Sequence, residues 1–453
     1  MNFRNLRATS VGIARIGLSL AMLAWAGWPQ EQAEAQQKHA KPAHYKVTDL
    51  GTLGGGYSEA FYMNNKGAIG GVASRADGSE HAFLWQDGTM KDLGTLGGPN
   101  SIAYGGPNLW NQLVGQSDTA TEDPNGEDFC GFGTKHICQP FLWQPLPYQH
   151  GVLLALPTLG GHNGEANGIN DLEEVVGTAE NVTADTSCPL GTSLHQFKPV
   201  VWSIGQLREL GNYSGDPDGV AMGINDHGAV VGASGDCAAY NGHTGLNLVP
   251  RHALLWQKGT MTDLGNLGGT GLNGGILAFN INNRDEVVGL SDLPENTTFH
   301  AFLWTKQTGM QDLGTLHADD LGSSATGLDE EGNVVGLSLD STMTPHAFLR
   351  LAGEKMIDIN TLIPANSPLF LLQACSINSR GELTGLAIET SSGDLHAFQA
   401  IPIDADDDSS DAAASAERDS SGAKKKTGMT EGARKQLQHL LRFHLPAQPA
   451  EAQ

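Results

Sequence analysis

Cationic residues are scarce in this chain: 26 Lys and Arg stand against 50 Asp and Glu, a formal net charge of −24. Nucleic acid and anionic membranes attract basic footprints, so the balance argues against both as partners. Long apolar runs are missing after residue 26, which leaves no candidate membrane span in a mature chain. A 3.6-residue apolar period is absent until the C-terminus, which excludes a helical scaffold. No Gly-x-Ser-x-Gly, His-Glu-x-x-His, phosphate-binding loop or dinucleotide fingerprint is present. The Gly-Thr-Leu-Gly-Gly runs are not phosphate cradles, because no helix follows to offer its N-terminus.

What the chain has is repetition. Gly-Thr-Met-Lys-Asp-Leu-Gly-Thr-Leu-Gly-Gly at 88–98 returns in degenerate form at Asp49, Asp92, Ala155, Glu209, Asp263, Asp312 and Asp358. A period of about 50 residues fixes an architecture before any chemistry is known. Each unit carries two more marks. One resembles Ile-Asn-Asn-x-x-Val-Val-Gly and ends at Gly71, Gly115, Gly177, Gly232, Gly289, Gly336 and Gly385. The other, His-Ala-Phe-Leu-Trp, begins at His81, Gln139, Lys198, His252, His300, His346 and His396.

Short β-branched and aromatic runs bounded by Asn, Asp and Gly predict four antiparallel strands, a to d, per unit. Such sheets cannot bury their faces alone, and radial stacking solves that problem. The last unit lacks strand d, and Tyr45–Leu50 at the other end of the repeats can supply it. The expected fold is all-β: a seven-bladed propeller closed by its N-terminal strand. These marks resemble the HAF-repeat family of probable extracellular bacterial proteins, over about residues 45–403. The second and third units depart from it, with Gln139-Pro140 and Lys198-Pro199 in place of His-Ala. The resemblance implies fold and an extracellular location, and no activity.

Residues 1–35 read as a secretory signal peptide, with Arg4, Arg7 and Arg15 before an apolar stretch and Ala33-Glu34-Ala35 as cleavage site. Residues 36–403 are then the propeller of a secreted or periplasmic protein. Residues 404–453 read as a disordered acidic, Ser-rich tail, with a short amphipathic helix from Thr430 to His444. Five cysteines suit an oxidising compartment. Cys130 and Cys138 are expected to pair locally, Cys188 and Cys237 to bridge neighbouring units, and Cys375 to remain a buried thiol.

Insertions fall on one face. The connection from the strand-b Gly to the His-Ala-Phe position holds 9, 23, 20, 19, 10, 9 and 10 residues in successive units. The three long connections are consecutive and share a face with the d–a connections, so a binding surface is expected there. Residues repeated in every unit, such as the histidines, serve the scaffold instead. Ligand-binding candidates are Tyr57, Tyr104, His162, Tyr213, Tyr240 and His317, since rings stack on sugar C–H faces. Catalytic carboxylate candidates are Glu59, Glu165, Asp216, Asp218, Asp319 and Asp320, though no spacing selects a pair. Asp123, Asn125, Glu127 and Asp128 offer oxygen ligands for Ca²⁺ without the frame of an EF-hand; no other cofactor is implied. Two readings stand: a non-catalytic module binding a glycan or a protein, and a glycoside hydrolase or polysaccharide lyase with an axial carboxylate or His site.

Overall fold

The computed structural model describes residues 43–146, 151–187, 195–203, 205–237, 248–272 and 275–403. The signal segment and the tail lie outside the described residues, as do Cys188 and Tyr240. Among the described residues there is no α-helix, and no helix long and apolar enough to cross a membrane.

The chain opens with β1 (His44–Asp49) and then repeats a four-strand meander. The first unit is β2 (Gly54–Met63), β3 (Ile69–Arg75), β4 (Glu80–Gln86) and β5 (Thr89–Asp92). The second is β6 (Gly97–Gly105), β7 (Leu113–Glu122), β8 (His136–Gln144) and β9 (Val152–Ala155). The third is β10 (Gly164–Ile169), β11 (Val175–Ala184), β12 (His195–Ser203) and β13 (Gln206–Glu209). The fourth is β14 (Asp218–Ile224), β15 (Val230–Asp236), β16 (Val249–Gln257) and β17 (Thr260–Asp263). The fifth is β18 (Ile276–Ile281), β19 (Val287–Asp292), β20 (Phe299–Thr305) and β21 (Gly309–Asp312). The sixth is β22 (Gly322–Leu328), β23 (Val334–Leu339), β24 (Pro345–Arg350) and β25 (Met356–Asp358). The last unit holds β26 (Leu369–Ile377), β27 (Leu383–Glu389) and β28 (Leu395–Ile403). Neighbours within each unit pair antiparallel, a propeller-like arrangement of small sheets. β1 pairs with β28 from His44↔Ile403 to Asp49↔Phe398, so the N-terminal strand supplies the fourth strand of the last unit.

The repeat marks have separable physical roles. The strand-b glycines leave no room for a side chain: a Cβ at Gly71 would lie 2.0 Å from the Glu59 carbonyl oxygen, and one at Gly177 2.1 Å from that of Glu165. Phe83, Phe141, Phe302, Phe348 and Phe398 of the His-Ala-Phe mark are fully buried between sheets. In units one, five and six the histidine meets the aspartate that ends strand d of its own unit: His81 Nδ1 lies 2.7 Å from Asp92, with His300–Asp312 at 2.8 Å and His346–Asp358 at 2.9 Å. In the last unit His396 Nδ1 lies 2.8 Å from Asp49 of β1, so the same pair ties the N-terminal strand into place. Units two and three have lost both members, with Gln139 and Ala155 in one and Lys198 and Glu209 in the other.

The turn asparagines join successive units. Asn64 Nδ2 donates to the Asn108 carbonyl, Asn108 to Asn170, Asn170 to Asn225, Asn225 to Asn282 and Asn282 to Asp329, at 2.9–3.1 Å. Asn378 of the last unit donates to Asn64 of the first at 3.2 Å. Asp329, in the equivalent turn of unit six, has no amide proton to pass to Asn378. In units three, five and seven the second proton of the turn Asn goes to Glu174, Glu286 or Glu382, a position that Asn333 fills in unit six. The double change Asp329→Asn with Asn333→Glu is therefore expected to stabilise the chain by about 1 kcal/mol, the worth of one added hydrogen bond. Urea unfolding checks this; an unchanged midpoint would show that the sixth turn is already satisfied.

Candidate functional site

The long connections extend the b–c hairpins of units two and three past their regular ends. Registers slip between Asp118 and Glu122 in β7, and between Glu180 and Ala184 in β11. Apolar side chains let these extensions pack together rather than stand alone. Phe129 and Cys138 of unit two and Phe197 of unit three are buried in one cluster, with Leu248 of unit four and Phe132 against it. The Phe129 and Phe197 rings meet edge to face, with centroids 6.3 Å apart. Cys130 and Cys138 form a disulfide at the base of the first insertion. Cys237 is disulfide-bonded as well, and Cys375 is a buried free thiol. Insertions from three units thus share a core of their own.

Beneath that core lies a polar knot. Asn163 Nδ2 lies 3.1 Å from Asp123 Oδ2, 2.8 Å from Glu127 Oε2 and 3.1 Å from Glu180 Oε2. Its Oδ1 accepts from the Cys138 amide at 2.9 Å. Glu127 and Glu180 are completely buried. Burial pushes the Glu180 carboxyl up to about 8, reinforced by the neighbouring Glu127. Of the calcium candidates, Asp123 and Glu127 reach this knot. Asp123 Oδ1 is taken by the Asn125 and Glu127 amides, and both Asp128 oxygens by the Gly133 amide.

A second group surrounds Tyr104. Tyr57 Oη donates to Glu59 Oε2 at 2.7 Å, Asn167 Nδ2 donates to Glu165 Oε1 at 3.1 Å, and Gln116 Nε2 lies 3.2 Å from Tyr104 Oη. Glu59 and Glu165 are 2% and 8% exposed, and burial raises both carboxyls to about 7. The same burial, with the charges of Glu165 and Glu59, holds the Tyr104 phenol well above its usual range.

The remaining candidates serve their own units. Asp216 accepts from Ser234 Oγ and pairs with His252 Nδ1 at 2.8 Å, standing in for the strand-d partner. Tyr213 stacks on His252 with centroids 3.9 Å apart, and is 36% exposed. Asp218 is fully buried and raised to about 8, first by burial and then by Asp185. Asp320 accepts from Ser338 Oγ and the His317 amide, while Asp319 and His317 face solvent. His162 donates its amide to Glu180 Oε2.

Two cavities bear on catalysis. One of about 90 Å³ is lined by Tyr62, Met63, Pro107, Ile169 and Ile224, without a carboxylate or histidine. Another of about 280 Å³ lies among Arg208, Glu209, Trp256, Gln257, Lys258 and Met261, with one carboxylate. Neither contains the paired acids of a glycosidase.

Sequence reasoning missed Asn163, Glu180 and His195. A signal existed: three residues after the strand-b glycine most units carry Ser, Gly or an aliphatic residue, whereas units two, three and five carry Asp118, Glu180 and Asp292. All three acids are completely buried.

No family model and no curated protein matches the chain. Solved structures resemble it only distantly. A gluconolactonase of Xanthomonas campestris is 11% identical, covering 80% of this chain and 99% of its own, with a TM-score of 0.35. A polysaccharide lyase, an ulvan lyase, is 10% identical over 82% and 98%, with a TM-score of 0.37. An acylaminoacyl peptidase of Pyrococcus horikoshii scores 0.40 at 11% identity over 64% of this chain, which spans 43% of that enzyme. At such low identity and TM-score these likenesses assign no activity.

Proposed function

We propose that this chain is an exported HAF-repeat protein, a closed seven-bladed propeller that binds a glycan on the face bearing the long connections. The cluster that packs Phe129 of unit two against Phe197 of unit three, with Leu248 of unit four beside it, carries this reading, because it joins the long connections where the rest of the repeat is plain. On the same face Tyr213 presents a half-open ring backed by His252, with Asp216 beside it, a suitable floor for a sugar C–H face. Binding fits better than hydrolysis or elimination, since Glu59, Glu165 and Asp218 are buried and Asp216 and Asp320 are engaged by Ser234 and Ser338, which leaves Asp319 alone facing solvent. The pair that favours an enzyme is Glu59 and Glu165, each raised to about 7 around Tyr104, within reach of general-acid chemistry at neutral pH.

A glycan array probed with the full chain tests the proposal. Retention of a glycan that falls about tenfold in Tyr213→Ala, a loss of about 1.4 kcal/mol, with unchanged melting, is the expected result. Equal retention by the variant, or none by the wild type, would transfer the face to a protein partner. Product release from a retained glycan, abolished in Glu59→Gln, would establish the enzyme instead.

A further inference from the structure

The knot around Asn163 gathers three carboxyl groups on a single side-chain amide. Its amide nitrogen has two hydrogens for three carboxylate oxygens, from Asp123, Glu127 and Glu180. The other oxygen of Glu180, Oε1, is buried without a hydrogen-bond partner, and so is Nδ1 of His195. Burying a carboxyl oxygen and an imidazole nitrogen without partners is costly. One ligand atom each from Glu127, Glu180 and His195 all lie within 4.8 Å of one another.

We propose that Glu127, Glu180 and His195 hold a divalent transition-metal ion of the zinc class. An imidazole nitrogen beside two carboxylates suits zinc or manganese, whereas calcium takes six or more oxygens and no nitrogen. Three protein ligands leave a fourth position for water, and small side-chain adjustments bring the donors to bonding distance. Asn163 then becomes the outer-shell donor that orients both glutamates, itself fixed by the Cys138 amide. Glu127 belongs to the insertion of unit two, while Glu180 and His195 lie on the two strands of the unit-three hairpin, around its register slip. The ion pins one long connection to the next. The site does not depend on which ligand the face binds.

The test strips the full chain with EDTA, loads it with Zn²⁺, Mn²⁺ or Ca²⁺, desalts it and counts bound metal by plasma mass spectrometry. The expected result is about one zinc per chain in the wild type, falling to roughly a tenth or less in both Glu180→Gln and His195→Gln. Cobalt loading of the wild type keeps the proposal falsifiable should a variant fail to fold: nitrogen and carboxylate coordination gives visible d–d absorption that zinc displaces. A wild type that retains no zinc, variants that retain as much, calcium retained in preference, or no cobalt absorption would each overturn it.

Discussion

Replacing Glu59 and Glu165 together by Gln is expected to raise the melting temperature at pH 8 and leave it nearly unchanged at pH 4. Both carboxyls are fully enclosed, and burial lifts them from 4.5 to about 7. The folded chain therefore holds two protons that the unfolded chain releases above its ordinary carboxylate pKa. Stability falls as pH rises from about 4.5 to about 7, and above that window the whole cost is present. At 1.36 kcal/mol per pKa unit the cost approaches about 3 kcal/mol for each group. Glutamine resembles the protonated acid in shape, keeps an acceptor for Tyr57 and Asn167, and needs no proton. Asp218, raised to about 8, acts in the same direction, so the variant keeps part of the slope. His396, raised first by its hydrogen bond to Asp49, likewise contributes stability that is lost as pH rises. Thermal melts at the two pH values check the claim. Equal gains at both would indicate packing alone, and a loss at pH 8 would show that the ionised carboxylates stabilise the fold.

Deleting the chain through Asp49 is expected to cost about 5 kcal/mol or more, close to the whole stability of an ordinary domain. The deletion removes a strand paired along its full length with β28, the Asp49–His396 pair and the buried Tyr45. Tyr45 packs with Leu349, Ile359, Leu371 and Phe398 of units six and seven, and its amide donates to the Leu362 carbonyl at 2.9 Å. Without the strand, β28 becomes an open edge next to the first unit, which it already meets through Ala397 and Ser58. Circular dichroism melts of the shortened chain measure the loss, and a synthetic peptide of residues 43–50 is expected to restore part of it. A shortened chain that melts like the full one would contradict closure by this strand.

Much of this was legible in the residues. The repeat marks located the strands, and the surplus fourth strand at Tyr45 pointed to its place beside β28. The histidine's partner was also present in the pattern. Units two and three lack both the histidine and the strand-d aspartate, so the pair could have been read from their joint loss. The knot was not legible, for a physical reason. Asn163, Glu127, Glu180 and His195 come from four elements, and strand polarity alone does not tell a buried acid from a solvated one. Only the packing of one insertion over the next removes them from water. The fate of Tyr57 and Tyr104 has the same origin: they were expected to offer rings to a sugar, while in the fold their hydroxyls meet Glu59 and Gln116.

The most direct measurement is hydrogen–deuterium exchange on the full chain, with and without the glycan that the array retains most strongly. Protection is expected in peptides covering 116–137, 178–197 and 210–218, around the long connections and Tyr213. Protection confined to 107–112 and 169–174, where Trp110 and Leu172 stand exposed on the a–b turns, would contradict it.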